Sequence, residues 1–139
     1  MTIQFHDQST LADLKSQFSA LFPYLKIEFF RKKHQAFESS QKKDMVHEDM
    51  PVKHISGGQL QSGAIELTGD MTVAECEALF SGKLGLSCQV FRKSRNSWIE
   101  TTRTDDWNLQ KQNEEGQSIS DDFSKTIDQR LEDILPDTD

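Results

Sequence analysis

Cysteine, proline and tyrosine are scarce in this sequence, with two, three and one among 139 residues. The two thiols, Cys76 and Cys88, stand in no Cys-x-x-Cys or other metal-ligand spacing. That excludes a disulfide scaffold and fits a reducing compartment. No window approaches the roughly twenty apolar residues that a membrane span needs. The first stretch, MTIQFHDQSTLADL, has no basic run leading into an apolar one, so no secretory leader is expected. The expectation is a cytoplasmic protein with no membrane partner.

Signature motifs of catalysis are missing as well. Serines are common, yet there is no Gly-x-Ser-x-Gly or Ser-x-x-Lys. His6, His34, His47 and His54 share no His-x-His or His-x-x-x-His spacing, and a metal site would need Asp44, Glu48 or Asp49 to converge on them through loop folding. Gly57, Gly58 and Gly63 in HISGGQLQSG lead into a strand pattern with no Lys-Ser/Thr pair behind them, so the phosphate-loop and dinucleotide fingerprints are absent. No pair of carboxylates is set by a motif in apolar surroundings that would split their pKa values for acid/base work. No catalytic residue, metal ligand or cofactor is assigned, and a non-enzyme is expected.

Other features argue for a folded body. Apolar residues make up 35% of the chain and include nine Phe and two Trp, well above a disordered composition, and the length suffices for one core without disulfides or metal. Charge is uneven. From Glu114 onward nine acidic residues face Lys125 and Arg130, so the segment carries 2 − 9 = −7, the whole formal net charge. The preceding 113 residues, with 14 basic and 14 acidic, are neutral, so a basic patch on the body stays open.

The strongest signal is internal repetition. LKIEFFRKKHQAFE from Leu25 and LSCQVFRKSRNSWI from Leu86 say nearly the same thing. Shifted by 62, Ile3 falls on Ile65, Thr10 on Thr72, Ala12 on Ala74 and Phe18 on Phe80. Shifted by 61 after a gap near Pro23, Leu25 falls on Leu86, Phe30 on Phe91, Arg31 on Arg92 and Lys32 on Lys93, with Phe37 opposite Trp98. Such self-similarity marks a tandem duplication. The expected organisation is a first repeat over 1–56, a second over 57–116 that includes a following short helix, and an acidic amphipathic tail over 117–139, all within one globular domain.

Each copy has the same local grammar. A β-rich run (TIQFH, AIELT) precedes a capping box, Thr10 with Asp13 and Thr72 with Glu75. Leu11, Leu14, Phe18, Leu21 and Val73, Cys76, Phe80, Leu84 then mark one buried helical face in each copy. Pro23 and Gly85 punctuate the ends. Leu25, Ile27, Phe29 and Leu86, Cys88, Val90 alternate with polar residues as half-buried strands do. SRNS reads as a turn and WIETT as the returning strand of a hairpin. The fold class expected is α+β: two β-α-β-β units forming one mainly antiparallel sheet of about six strands, both helices on one face, and a helical tail. This topology resembles the duplicated strand-helix-strand-strand modules of GyrI-like, or SOUL-type, ligand-binding domains, with a ferredoxin-like arrangement as the other candidate. FPYLKIEF and the GLxxQVFRKS stretch also look like those of a small uncharacterised bacterial family. The resemblance is at the level of fold and carries no functional residue with it.

A four-residue SRNS loop places Lys93 opposite Trp98 and Phe91 opposite Glu100, so Phe91, Lys93 and Trp98 share the sheet face that the helices leave bare. By the repeat, Phe30, Lys32 and Phe37 join them in an aromatic-basic strip. Three readings follow. The strip is a second small core, covered by a helix starting at Thr104-Asp105-Asp106 and ending near Gly116 together with a tail helix starting at Ser120-Asp121-Asp122. Or the strip, or the tail stripe Phe123, Ile127, Leu131 and Ile134, binds another protein or an identical subunit. Or the aromatics and lysines stack single-stranded nucleic acid, a reading weakened by the neutral body and the lack of an RNP motif. A non-catalytic protein-interaction module is the functional expectation. A small-ligand pocket between the two repeats is the alternative.

Overall fold

The computed structural model describes residues 1–31, 44–55 and 62–134. In chain order they form β1 (Thr2–His6), α1 (Leu11–Leu21), β2 (Leu25–Phe30), a single turn α2 (Val52–Ile55), β3 (Ser62–Glu66), α3 (Val73–Leu84), β4 (Ser87–Ser94), β5 (Ser97–Glu100) and a long α4 (Leu109–Ile134). The class is α+β with antiparallel strands and a C-terminal helix.

Both capping boxes form. The Thr10 hydroxyl accepts from the Asp13 N–H at 3.4 Å while Asp13 accepts from the Thr10 N–H at 2.9 Å, and Thr72 and Glu75 repeat the exchange at 3.1 and 3.3 Å. Each satisfies N–H groups that a helix start leaves orphaned. Two more are satisfied by the chain returning past each helix. Leu11 and Ala12 donate to the carbonyls of Met50 and Glu48, and Val73 and Ala74 donate to those of Trp107 and Asp105. Val52 then donates to the Ser9 carbonyl as Leu109 does to that of Met71, so α2 and the start of α4 leave the body at corresponding places. Gly85 ends α3 in the left-handed conformation, φ 73°, which its missing Cβ makes cheap.

The strands fall into two antiparallel sheets, β1-β3 and β2-β4-β5, where a single sheet was expected. One cause lies at the outward edge of β1. The Gln17 side chain on α1 accepts from the Gln4 N–H at 2.9 Å and donates to its carbonyl at 2.7 Å, which occupies the groups a further strand would need. The register within each sheet relates the two halves of the chain. Ile3 pairs with Ile65, its counterpart 62 residues on, and Glu28 pairs with Gln89, its counterpart 61 residues on. Pairs on either side swap partners symmetrically, Ile27 with Val90 and Phe29 with Cys88. A local twofold axis therefore runs through both ladders.

The core lies where the axis passes between the sheets and the first two long helices. α1 packs on β1 and β2, α3 on β3 and β4, and Ile3, Leu14, Phe18, Ile27, Phe29, Ile65, Cys76, Phe80, Cys88 and Val90 form one buried cluster. Cys76 and Cys88 are buried in its interior, not joined to each other by a disulfide.

α4 departs most from the sequence reading. Its cap is Asn108, whose side chain accepts from the Lys111 N–H at 2.7 Å, instead of the Thr104-Asp105-Asp106 stretch. It runs through both Gly116 and Ser120 without a break, so 109–116 and 117–134 are one helix and not two. Gly116 serves close approach: a Cβ there would stand 2.9 Å from the Tyr24 Cβ and 3.1 Å from the Arg92 Cγ. The first two turns dock on the body through buried Leu109, Gln112 and Gly116, with Gln112 accepting from Arg92 at 3.0 Å and Asn113 from the Tyr24 N–H at 2.8 Å.

Candidate functional site

The β4-β5 hairpin has the expected register, Phe91 opposite Glu100 and Lys93 opposite Trp98. Its turn at Arg95 takes a positive φ of 62°, costly for a residue with a side chain. Because β2 pairs Lys26 with Phe91, a further lysine joins the same face. The Lys26 ammonium lies 5.3 Å from the Phe91 ring centre and 5.2 Å from that of Trp98, and Lys93 lies 6.0 Å from Trp98. Four residues from three strands thus make a cation-π cluster, with Trp98 37% exposed.

The other predicted members of the strip behave differently. Phe30 is buried at 1% exposure and cannot touch a partner, which corrects its assignment to an exposed surface. Its place beside the bridge to Met45 at the edge of β2 explains part of this shielding. Lys32 and Phe37 lie outside the described residues. Lys26 was missed because the pairing of β2 with β4 joins the two copies, and a copy read singly does not contain it. Its signal was present in the alternation Leu25, Lys26, Ile27, which already turned it away from the core.

α4 does not cover this strip, contrary to the second-core reading. Its docked turns lie against Arg92, which pairs with Leu25 on the opposite, helix-bearing face. Since the helix is continuous, its outer half runs on past the body. Ile119 and Phe123 are half-buried beside the hairpin turn, where Arg95, Asp122, Thr126, Ile127 and Arg130 complete a groove of about 400 Å³. Beyond it, exposure rises along the same face, from 38% at Ile127 through 51% at Leu131 to 75% at Ile134. Arg95 and Ile119 were also missed: the first reads as turn, and the second falls at the false boundary placed near Gly116.

Elsewhere, a shallow cleft of about 850 Å³ is lined by Gln4, Phe5, His6, Asp13 and Gln17 from the first half and by Ser62, Gly63 and Ala64 from the second. The interior along the twofold axis is filled by the Phe18 and Phe80 rings. Between Lys15 and its neighbours lies a charge cluster, with the ammonium 3.0 Å from both Glu28 and Glu48. Burial works to lower the Lys15 pKa, but the hydrogen bonds that its ammonium donates to Glu28 and Glu48, with their charges, outweigh it and hold it above the ordinary lysine value. Glu48 is held below the usual carboxylate range by its hydrogen bond from Lys15. Burial pushes the Cys76 thiol up to about 12, assisted by the Glu77 charge, and burial likewise raises Cys88 well above the ordinary thiol value. Neither is a poised nucleophile.

Among the described residues no three His, Cys, Asp or Glu side chains converge as metal ligands, and no helix is long and apolar enough to cross a membrane. Compared with protein-family models, curated proteins and solved structures, the chain has no significant match.

Proposed function

We propose that the protein is a non-catalytic interaction module whose outer α4 face, with the neighbouring Lys26-Phe91-Lys93-Trp98 cluster as a second contact surface, docks a protein partner. One observation carries this reading. A 26-residue helix spends its first two turns on the body and then presents Phe123, Ile127, Leu131 and Ile134 on one increasingly exposed face. Solvent-facing helices carry such stripes at a free-energy cost, and amphipathic helices recover it by laying them into a partner's groove. The flanking acidic residues favour a partner with basic groups beside that groove. Buried thiols at Cys76 and Cys88, not joined in a disulfide, fit a cytoplasmic, reducing setting.

The test is capture from lysate on the immobilised full-length protein, compared with an Ile127→Ser/Leu131→Ser variant and a Trp98→Ala variant. A specific protein held by the wild type and lost with the tail variant supports the module, and identical capture by all three sinks it. Nucleic acid released steeply by salt and lost with Trp98→Ala would transfer the function to stacking on the aromatic cluster.

A small-ligand reading has its own observation, the cleft that both halves of the chain line. It also fits the resemblance to duplicated GyrI-like ligand-binding modules. A ligand bound only by the native state raises the melting temperature, so a thermal-shift screen separates this reading from the first.

A further inference from the structure

The twofold relation between the halves breaks at the outward edges of the β1-β3 sheet. Met1 and Leu67 exchange backbone hydrogen bonds at 3.0 and 2.7 Å, which fixes the alternation of the ladder. Ile3 with Ile65 and Phe5 with Gly63 are then hydrogen-bonded pairs, and the backbone groups of Thr2, Gln4, His6 and of Ser62, Ala64, Glu66 point away from the sheet. On β1 the groups of Gln4 and His6 are occupied. Gln17 takes both groups of Gln4, and Ser9 takes both of His6, its hydroxyl accepting from the His6 N–H at 3.1 Å and its N–H donating to the carbonyl at 3.0 Å.

On β3 the corresponding device is missing. The counterpart of Gln17 on α3 is Leu79, and the counterpart of Gln4 is Glu66. A leucine has no amide to offer. Among the described residues the outward N–H and C=O groups of Ser62, Ala64 and Glu66 have no backbone or side-chain partner, and all three residues are exposed. β3 also lacks the proline or lysine with which sheet edges are commonly blunted.

We propose that the β3 edge is a self-association surface, on which β3 of a second copy of this chain pairs antiparallel about a twofold axis through Ala64. The sequence of the strand selects this occupant. In that register Ala64 meets Ala64, the smallest side chain that keeps a strand regular, and each Glu66 faces a Ser62, so no like charges are opposed. The same three residues serve on both sides, and their outward groups form six hydrogen bonds. The surface is isologous, closes at two copies and extends the sheet to four strands in the order β1-β3-β3-β1. It is separate from the α4 face and stands whether or not that reading holds.

The experiment combines sedimentation over a concentration series with amide hydrogen exchange on the full-length chain. For the wild type the mass rises from one chain toward two with concentration, and the Ser62, Ala64 and Glu66 amides slow by about tenfold or more in the associated form. Ala64→Pro removes an outward N–H that bonds to nothing among the described residues, so the fold is kept while pairing is lost. Ala64→Lys, which opposes two ammonium groups across the axis, loses pairing by a second route, and unchanged circular dichroism certifies both variants as folded. A chain that stays monomeric overturns the proposal. So does a dimer that survives both substitutions and is lost instead with Ile127→Ser/Leu131→Ser, which would place the contact on α4. Edge amides protected only when an extended peptide is added would overturn the second copy as occupant.

Discussion

Phe18 and Phe80 hold counterpart positions in the two halves and touch each other, ring centres 6.2 Å apart and planes at 85°. Both are fully buried. Edge-to-face geometry adds to area burial, so Phe18→Ala and Phe80→Ala should each cost about 3–5 kcal/mol. Because the rings share one site on the axis, the double variant should cost less than the sum by about 0.5–1.5 kcal/mol. Urea unfolding of the four proteins measures this, and strict additivity would mean that the contact is incidental.

Gly116 and Gly82 offer a matched pair. Both are helical, and helix propensity alone favours alanine over glycine by about 1 kcal/mol. At Gly82 nothing lies within 4 Å of an added Cβ, so Gly82→Ala should raise stability by about that amount. At Gly116 the new methyl meets the Tyr24 Cβ at 2.9 Å and the Tyr24 carbonyl oxygen at 3.2 Å. Backbone cannot retreat as a side-chain tip can, and overpacking of this kind costs about 1–3 kcal/mol. Gly116→Ala should therefore be net destabilising. Equal gains at both sites would show that α4 is not seated as described.

The Lys15 cluster predicts a pH window. Glu48 is depressed, so its contribution is complete above its ordinary value of 4.5 and fades as pH falls through its lower folded value. Lys15 is raised, so its contribution is complete below 10.5 and fades as pH rises through its higher folded value. Lys15→Met should cost about 1–3 kcal/mol in between, mainly by leaving Glu28, with a side chain only 10% exposed, short of its closest cation. The gap between wild type and variant should narrow in acid. A gap independent of pH would assign the loss to the lysine's methylenes instead of its charge.

The thiols predict a chemical readout of stability. With burial raising both Cys76 and Cys88, a thiol reagent should modify neither in the native chain, and its rate should follow the unfolded population across a urea series. Rapid labelling without denaturant would place one of them at the surface.

Much of this architecture was legible, and the limits have physical causes. The capping boxes at Thr10 and Thr72 and the hairpin register around Trp98 depend on residues close in sequence, and pattern sufficed for them. What was misread depends on distant partners. Gly116 looked like a helix stop because Tyr24, which demands a residue without a Cβ, lies 92 positions away in the chain. The sealing of the β1 edge rests on the Gln17 amide reaching Gln4, and a glutamine on a helix gives no sign of that task. Phe30 was placed on the exposed strip by the repeat, as the counterpart of Phe91, which tells the face of a strand but not what lies over it.

The contact of the two halves at Ile3 with Ile65, Phe18 with Phe80 and Glu28 with Gln89 has one more consequence. A homodimer of identical units would bring every residue on its axis against itself, and a carboxylate there would meet a carboxylate. In one covalent chain the copies differ, so Glu28 faces an amide at Gln89 and is free to take its charge partners from Lys15 and Lys26. Fusion also removes dilution as a route to dissociation. The protein behaves as a permanent dimer whose two members are allowed to be unlike each other, one edge sealed by Gln17 and the other left open at Ala64.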